Sequence, residues 1–139
     1  MNTGAYILDF AVFEDALLSG DKRQTIRKYG PQKLKSLQNA TELNCYWKRG
    51  TPYEYHMFNS EITHLEILRF KYPNVITAIP HLSSVDGNIG YELSPRLQEE
   101  FARRDGFGCY ADLLQYFKDK YGKKLFNQKF IVIHFNTEM

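Results

Sequence analysis

The sequence predicts one α+β domain, and three observations predict it. Short runs of strand-forming residues alternate with helical patterns, and Gly, Pro or Asp punctuates most of the changes. The length of 139 residues fits a single domain over 1–139, since domains commonly run to roughly 100–200 residues. Hydrophobic residues make up 43% of the chain, with ten Tyr and ten Phe, enough for a core with aromatics left over for a binding surface. A chain of this size buries about two-thirds of its unfolded surface, so it needs no disulfide or metal staple.

Tyr6 to Phe10 reads as a short strand, Y-I-L-D-F. Val12, Ala16 and a leucine at 17 or 18 then offer one helical face, and Ser19-Gly20 stops that helix. Thr25, Ile26 and Tyr29 favour a strand after Gly20, whereas Pro31 to Ala40 is polar and weakly patterned and reads as a loop with a turn of helix. Leu43, Cys45 and Trp47 alternate on one face of a half-buried strand ending at an R-G-T-P turn. Tyr53 to Phe58 is a strand or an aromatic loop, and Ile62 to Phe70 is a strand with apolar residues on both sides. Residues 71–93, broken by Pro73, Pro80 and Asp86-Gly87, read as an insertion or extended hairpin. Ser94-Pro95 starts a helix as N-cap and first helical residue. That helix ends near Arg104, and a second spans Tyr110 to Tyr121 up to Gly122. Lys129 to Phe135 is almost continuously apolar, as suits a strand buried on both faces.

A net charge of +2 excludes little. Cys45 and Cys109 lie far apart without a C-x-x-C pattern, which predicts two reduced thiols. The first residues lack a basic, then apolar, leader, and no apolar run approaches a membrane span, so the expectation is a cytoplasmic protein without membrane partners. His56, His64, His81 and His134 show no metal-ligand spacing, and the expectation is no metal and no cofactor. His134 is expected to be satisfied by a backbone group. The sequence leaves the oligomeric state open.

Charge distribution is more telling. The stretch from Gly20 to Lys28, with Lys33 and Lys35, holds six cations against Asp21. On a strand, Thr25 and Arg27 share a face opposite Ile26. Clustered cations repel, so an anionic partner explains them more readily than stability does; from charge alone the plainer reading is a solvated basic hairpin. Lys48, Arg49 and Tyr53, beside Trp47, Tyr55, His56 and Phe58, interleave cations with rings, a combination that suits base stacking and phosphate pairing. Trp47 itself reads as core. Lys118, Lys120, Lys123, Lys124 and Lys129 read as a solvated face that could extend a phosphate-binding surface.

The string Gly20-Asp21-Lys22-Arg23-Gln24-Thr25-Ile26-Arg27, following a strand and a helix, resembles the Gly-x-Lys-x-x-Thr-x-Arg signature of the ASCH family. Asp105-Gly106-Phe107, the helix after it and the terminal strand resemble that family's second patch, in the family's order. The resemblance covers Tyr6 to Lys28 and Ala102 to Phe135. It implies a PUA-like β-barrel with flanking helices and a cleft for RNA or a modified nucleobase or nucleoside. Lys22, Thr25, Arg27 and Asp105 would line that cleft, with Arg23, Lys28, Lys48, Arg49 and Tyr53 as further ligand-binding residues. One group of small members hydrolyses N4-acylated cytidine with a Lys, a Thr and a carboxylate, which match Lys22, Thr25 and Asp105. That carboxylate is Glu in the group, so Asp105 is one methylene shorter. An amidohydrolase or a metal-independent ribonuclease is thus the alternative to a binding module. A third is a protein-binding domain using the 73–93 segment.

Overall fold

The computed structural model describes residues 4–71, 79–87 and 89–136. Among the described residues, seven strands form one curled sheet, a half-barrel, with four α-helices around it. In chain order these are β1 (Ala5–Phe10), α1 (Glu14–Ser19), β2 (Gln24–Lys28), α2 (Pro31–Asn39), β3 (Glu42–Trp47) and β4 (Tyr55–Lys71). Then come β5 (Ile79–Ser83), β6 (Gly90–Glu92), α3 (Pro95–Arg104), α4 (Tyr110–Tyr121), a 3-10 segment over Gly122–Asn127 and β7 (Phe130–Asn136).

The curl comes from β4. Its first part pairs antiparallel with β3, its middle with β7 and its last residues with β5, so one 17-residue strand belongs to both halves of the sheet. Register slips in its ladders at Cys45/Tyr46 and at Ile62/His64 help it bend, because an extra residue on one strand raises the local twist. The β1–β3 pair is parallel, and β2 closes the other side against β7.

Strand β7 is buried on both faces, as its apolar run predicts. Val132 and Phe130 pack on one side with Leu68, Phe70 and the inward faces of α3 and α4. Ile131, Ile133 and Phe135 pack on the other with Leu8, Phe10, Leu17, Leu37 and Leu43. The Phe130 ring meets Phe70, Phe117 and Tyr121 edge-on at centroid distances of 6.0, 5.3 and 5.1 Å. Rings in that arrangement add to the roughly 1.5–3 kcal/mol each gains by burial.

Several elements match their sequence signals closely. Gly20 caps α1 at φ 86°, and the Ser94 hydroxyl accepts from the Leu97 amide at 3.4 Å with Pro95 next to it. Two readings need correction. Pro31 to Asn39 is a helix, begun by proline at its first position; only Leu34 and Leu37 face the core, too few apolar residues to show a period. Tyr55 to Lys71 is one strand, not two segments, because each part finds a different partner. Within 71–93, β5 and β6 pair as an antiparallel hairpin, while 72–78 and residue 88 lie outside the described residues. Trp47 is half-buried against the second core cluster. Cys45 and Cys109 are free, and burial pushes the Cys45 thiol up to about 12, which leaves it a core filler and not a nucleophile. No helix among the described residues is long and apolar enough to cross a membrane.

Candidate functional site

Asp105-Gly106-Phe107 ends α3 in a Schellman motif. The Phe107 amide donates to Ala102 O at 2.9 Å and the Gly106 amide to Arg103 O at 3.0 Å, with Gly106 at φ 102°. A Cβ at Gly106 would sit 2.9 Å from Cγ of Phe13, so both the backbone angle and the neighbour demand glycine. Phe13 is itself at φ 67°, a conformation bulky residues seldom hold unless their surroundings over-determine it. Its ring is fixed edge-on against Phe107 at 4.9 Å.

Strand β2 delivers the cations. The Arg23 amide donates to Arg104 O at 2.8 Å, and the Phe135 amide to Arg23 O at 3.0 Å, which stitches the start of β2 between the end of α3 and β7. Lys22, just before the strand, is 3% exposed and Asp105 4% exposed. Lys22 Nζ donates to the Asp105 carbonyl at 2.5 Å and lies 3.5 Å from Asp105 Oδ2. A cation is well placed there, since carbonyls at a helix C-terminus carry partial negative charge. Gln24 Nε2 donates to Asp105 Oδ1 at 3.4 Å, and Gln24 Oε1 is buried without a partner in the structure. On the shared face of β2, Arg27 Nε donates to Thr25 Oγ1 at 3.1 Å and Arg27 Nη2 to the Asp9 carbonyl at 2.9 Å.

These side chains open on one cavity of about 220 Å³ whose lining includes Lys22, Thr25, Arg27, Asp105, Phe13 and Phe107. Tyr116, Phe117, Lys120 and Tyr121 of α4 wall its other side, and Asp9 lines it as well. Burial pushes the Lys22 pKa down, with Arg27 acting in the same direction and Asp105 against it. Burial pushes the Asp105 carboxyl up, opposed by Lys22, Gln24 and Arg27. Desolvation thus dominates on both partners of this ion pair.

Four predicted residues meet in the cavity: Lys22, Thr25, Arg27 and Asp105. The other five do not line it. The Arg23 side chain turns back to the Gly20 carbonyl at 3.1 Å and edges a separate groove with Arg103 and Arg104. Lys28 is exposed at the far end of β2. The Lys48 ammonium sits 5.6 Å from the Trp47 and Tyr53 ring centroids, a separate cluster on the β3–β4 connection. That connection touches the cavity's own strand through the backbone: the Lys48 amide donates to Phe10 O and the Arg49 amide to Asp9 Oδ1, both at 2.8 Å. Sequence reasoning missed Phe13, Tyr116 and Tyr121. The signal was there for α4, since residues 116, 117, 120 and 121 share a helical face. Lys120, read as part of a solvated face that could extend a phosphate-binding surface, lines the cavity 5.8 and 5.7 Å from the Tyr116 and Tyr121 centroids. His134 is not satisfied by backbone through its side chain but holds Glu66, as described below.

Fold and site together define an α+β half-barrel with a small charged cavity between β2, the α3 C-terminus and α4. No family model, curated protein or solved structure matches the chain.

A buried carboxyl with its pKa above 3.8 holds more protons folded than unfolded across that interval, so its contribution to stability falls as pH rises through it. Lys22→Met removes the charge that opposes this upward shift. It is expected to cost about 3–5 kcal/mol near neutral pH, as for one partner lost from a buried pair. The deficit should shrink as pH falls and Asp105 takes up a proton. Urea midpoints across the pH range check this, and a pH-independent deficit contradicts it.

Proposed function

We propose that this chain is an ASCH-type module with a PUA-like barrel, and that its cavity binds RNA through a single base or a modified nucleobase. The observation that carries the reading is convergence: the Lys, Thr and Arg of the Gly20–Arg27 motif and the Asp of the second motif line one aromatic-walled cavity. Two sequence motifs separated by most of the chain thus meet at one cavity.

The chemistry of the lining supports a base with a phosphate nearby. Phe13, Phe107, Tyr116 and Tyr121 offer ring faces and edges, and stacking on aromatic side chains is how proteins hold bases without reading sequence. Asp105 and Asp9 are acceptors suited to an exocyclic amine, by the donor–acceptor logic of base edges. Arg27 and Lys120 supply positive charge at the same cavity. Size limits the guest. Pockets for drug-sized ligands run to about 300–1,000 Å³, so 220 Å³ suits one small ring system with its substituent.

A binding role comes ahead of catalysis because of how Lys22 and Thr25 are engaged. A hydroxyl nucleophile needs a base within hydrogen-bonding reach. Here Lys22 Nζ is held by Asp105, and the Thr25 hydroxyl receives Arg27 Nε. One observation favours the amidohydrolase or metal-independent ribonuclease as a second reading: burial lowers the Lys22 pKa, the direction a general base requires.

The binding reading predicts saturable binding of N4-acetylcytidine or a short ribo-oligonucleotide. Arg27→Ala should weaken oligonucleotide binding by about tenfold or more at low salt, the scale of one charged hydrogen bond. That loss should shrink as salt rises, since neutralised phosphates release counterions. Equal affinities of variant and wild type at low salt overturn it. For the second reading, chromatography of N4-acetylcytidine incubations decides: cytidine released by wild type in chelator, but not by Lys22→Ala or Thr25→Ala, makes it an enzyme. Absence of product with all three proteins folded leaves the binding module.

A further inference from the structure

Apart from the cavity, β4 and β7 bring together side chains that sequence spacing keeps far apart. His64 of β4 stands directly opposite His134 of β7, and Glu66 lies two residues further along β4. A register slip creates this arrangement. Continuing the Ile62–Phe135 pairing would set Thr63 against His134; the bulge between Ile62 and His64 puts His64 there instead. Bulges re-aim side chains in this way and are over-represented beside functional sites.

The three side chains converge on one carboxylate oxygen. Glu66 Oε1 is 2.6 Å from His134 Nε2 and 3.6 Å from His64 Nε2, and one ligand atom from each residue lies within 4.8 Å of the others. His134 is buried, with its side chain 8% exposed, while that of His64 is 57% exposed. A hydrogen bond to Glu66 is enough to satisfy a buried imidazole. It gives no reason for a second imidazole, turned in by a bulge, to face the same oxygen.

We propose that His64, Glu66 and His134 bind one divalent transition-metal ion, zinc by ligand type, with a fourth position left to water. Two imidazoles and a carboxylate suit zinc and its first-row neighbours, and oxygen-only donors would be expected for magnesium or calcium. Bonds of about 2.1 Å at tetrahedral angles separate ligand atoms by about 3.4 Å. The 3.6 Å separation is close to that, and the 2.6 Å hydrogen bond opens when the metal replaces its proton. The two rings now lie parallel, 9° apart in plane with centroids at 3.8 Å, so their lone pairs do not meet at a point. His64 is the side chain that turns, and its exposure leaves it free to do so.

The test is calorimetric titration of the chelator-stripped 139-residue chain with Zn²⁺, repeated on His64→Ala and Glu66→Gln. One ion per chain with a dissociation constant in the micromolar range or tighter is expected. His64→Ala, at an exposed position that leaves the core intact, should weaken it at least tenfold. Co²⁺ in place of Zn²⁺ should give visible absorption of a four-coordinate site in wild type and lose it in His64→Ala. No saturable binding, or wild-type affinity in His64→Ala, overturns the proposal.

Discussion

The contact between Lys22 and Asp105 is the constraint around which this molecule is arranged. Taking an ammonium and a carboxylate out of water costs several kcal/mol per ion, and attraction between them offsets that only with good geometry and further hydrogen bonds. The fold supplies both. The Schellman turn fixes Asp105 at the end of α3, the Arg23–Arg104 backbone bond fixes the approach of β2, and Gln24 takes the second carboxylate oxygen. A well-packed apolar pair in this place would hold β2 against α3 without that cost. The charges are more readily explained by what they present to the cavity than by stability.

Strain at the cavity wall leads to the same view. Phe13 holds a left-handed backbone conformation, and its ring presses on Gly106, where no side chain fits. Backbone strain of this sort costs about 1–3 kcal/mol and survives where surrounding structure enforces it. The α1 N-terminus and the α3 C-terminus are thereby locked to each other across the cavity's apolar side. Arg27, anchored by Thr25 and the Asp9 carbonyl, is likewise set before any ligand arrives. Preorganised groups lose less on binding than groups that must be ordered by the ligand.

Legibility in the sequence followed the range of the interactions. Strand β7 was plain because burial on both faces leaves an apolar run, and α3 because Ser94-Pro95 is a local cap. The helix α2 was not legible, since two leucines make too sparse a stripe. The single long β4 was not legible either, because its continuity depends on three partner strands. In the site, motif residues on β2 could be named but their meeting with Asp105 could not be derived from spacing. Arg23 and Lys28 belong to the same charged run, yet Arg23 precedes the strand and turns back to the Gly20 carbonyl, and alternation sets Lys28 on the face opposite Arg27. Tyr116 was hidden in a helix whose lysines read first as a solvated face. The histidine pair was invisible for a sharper reason: one bulged residue decides whether His64 or Thr63 faces His134.

The account stands on Lys22 being a buried ammonium whose desolvation outweighs its carboxylate partner. Its side-chain titration can be followed directly by NMR of ¹³C-labelled lysine, with the Lys22 signal assigned by its absence from a Lys22 variant. The account predicts a midpoint below 10.5, the ordinary lysine value, and a signal distinct from the exposed lysines. A midpoint at or above 10.5 would mean that Asp105 prevails or that water reaches the pair, and would contradict the account of Lys22 as a cation set by its burial.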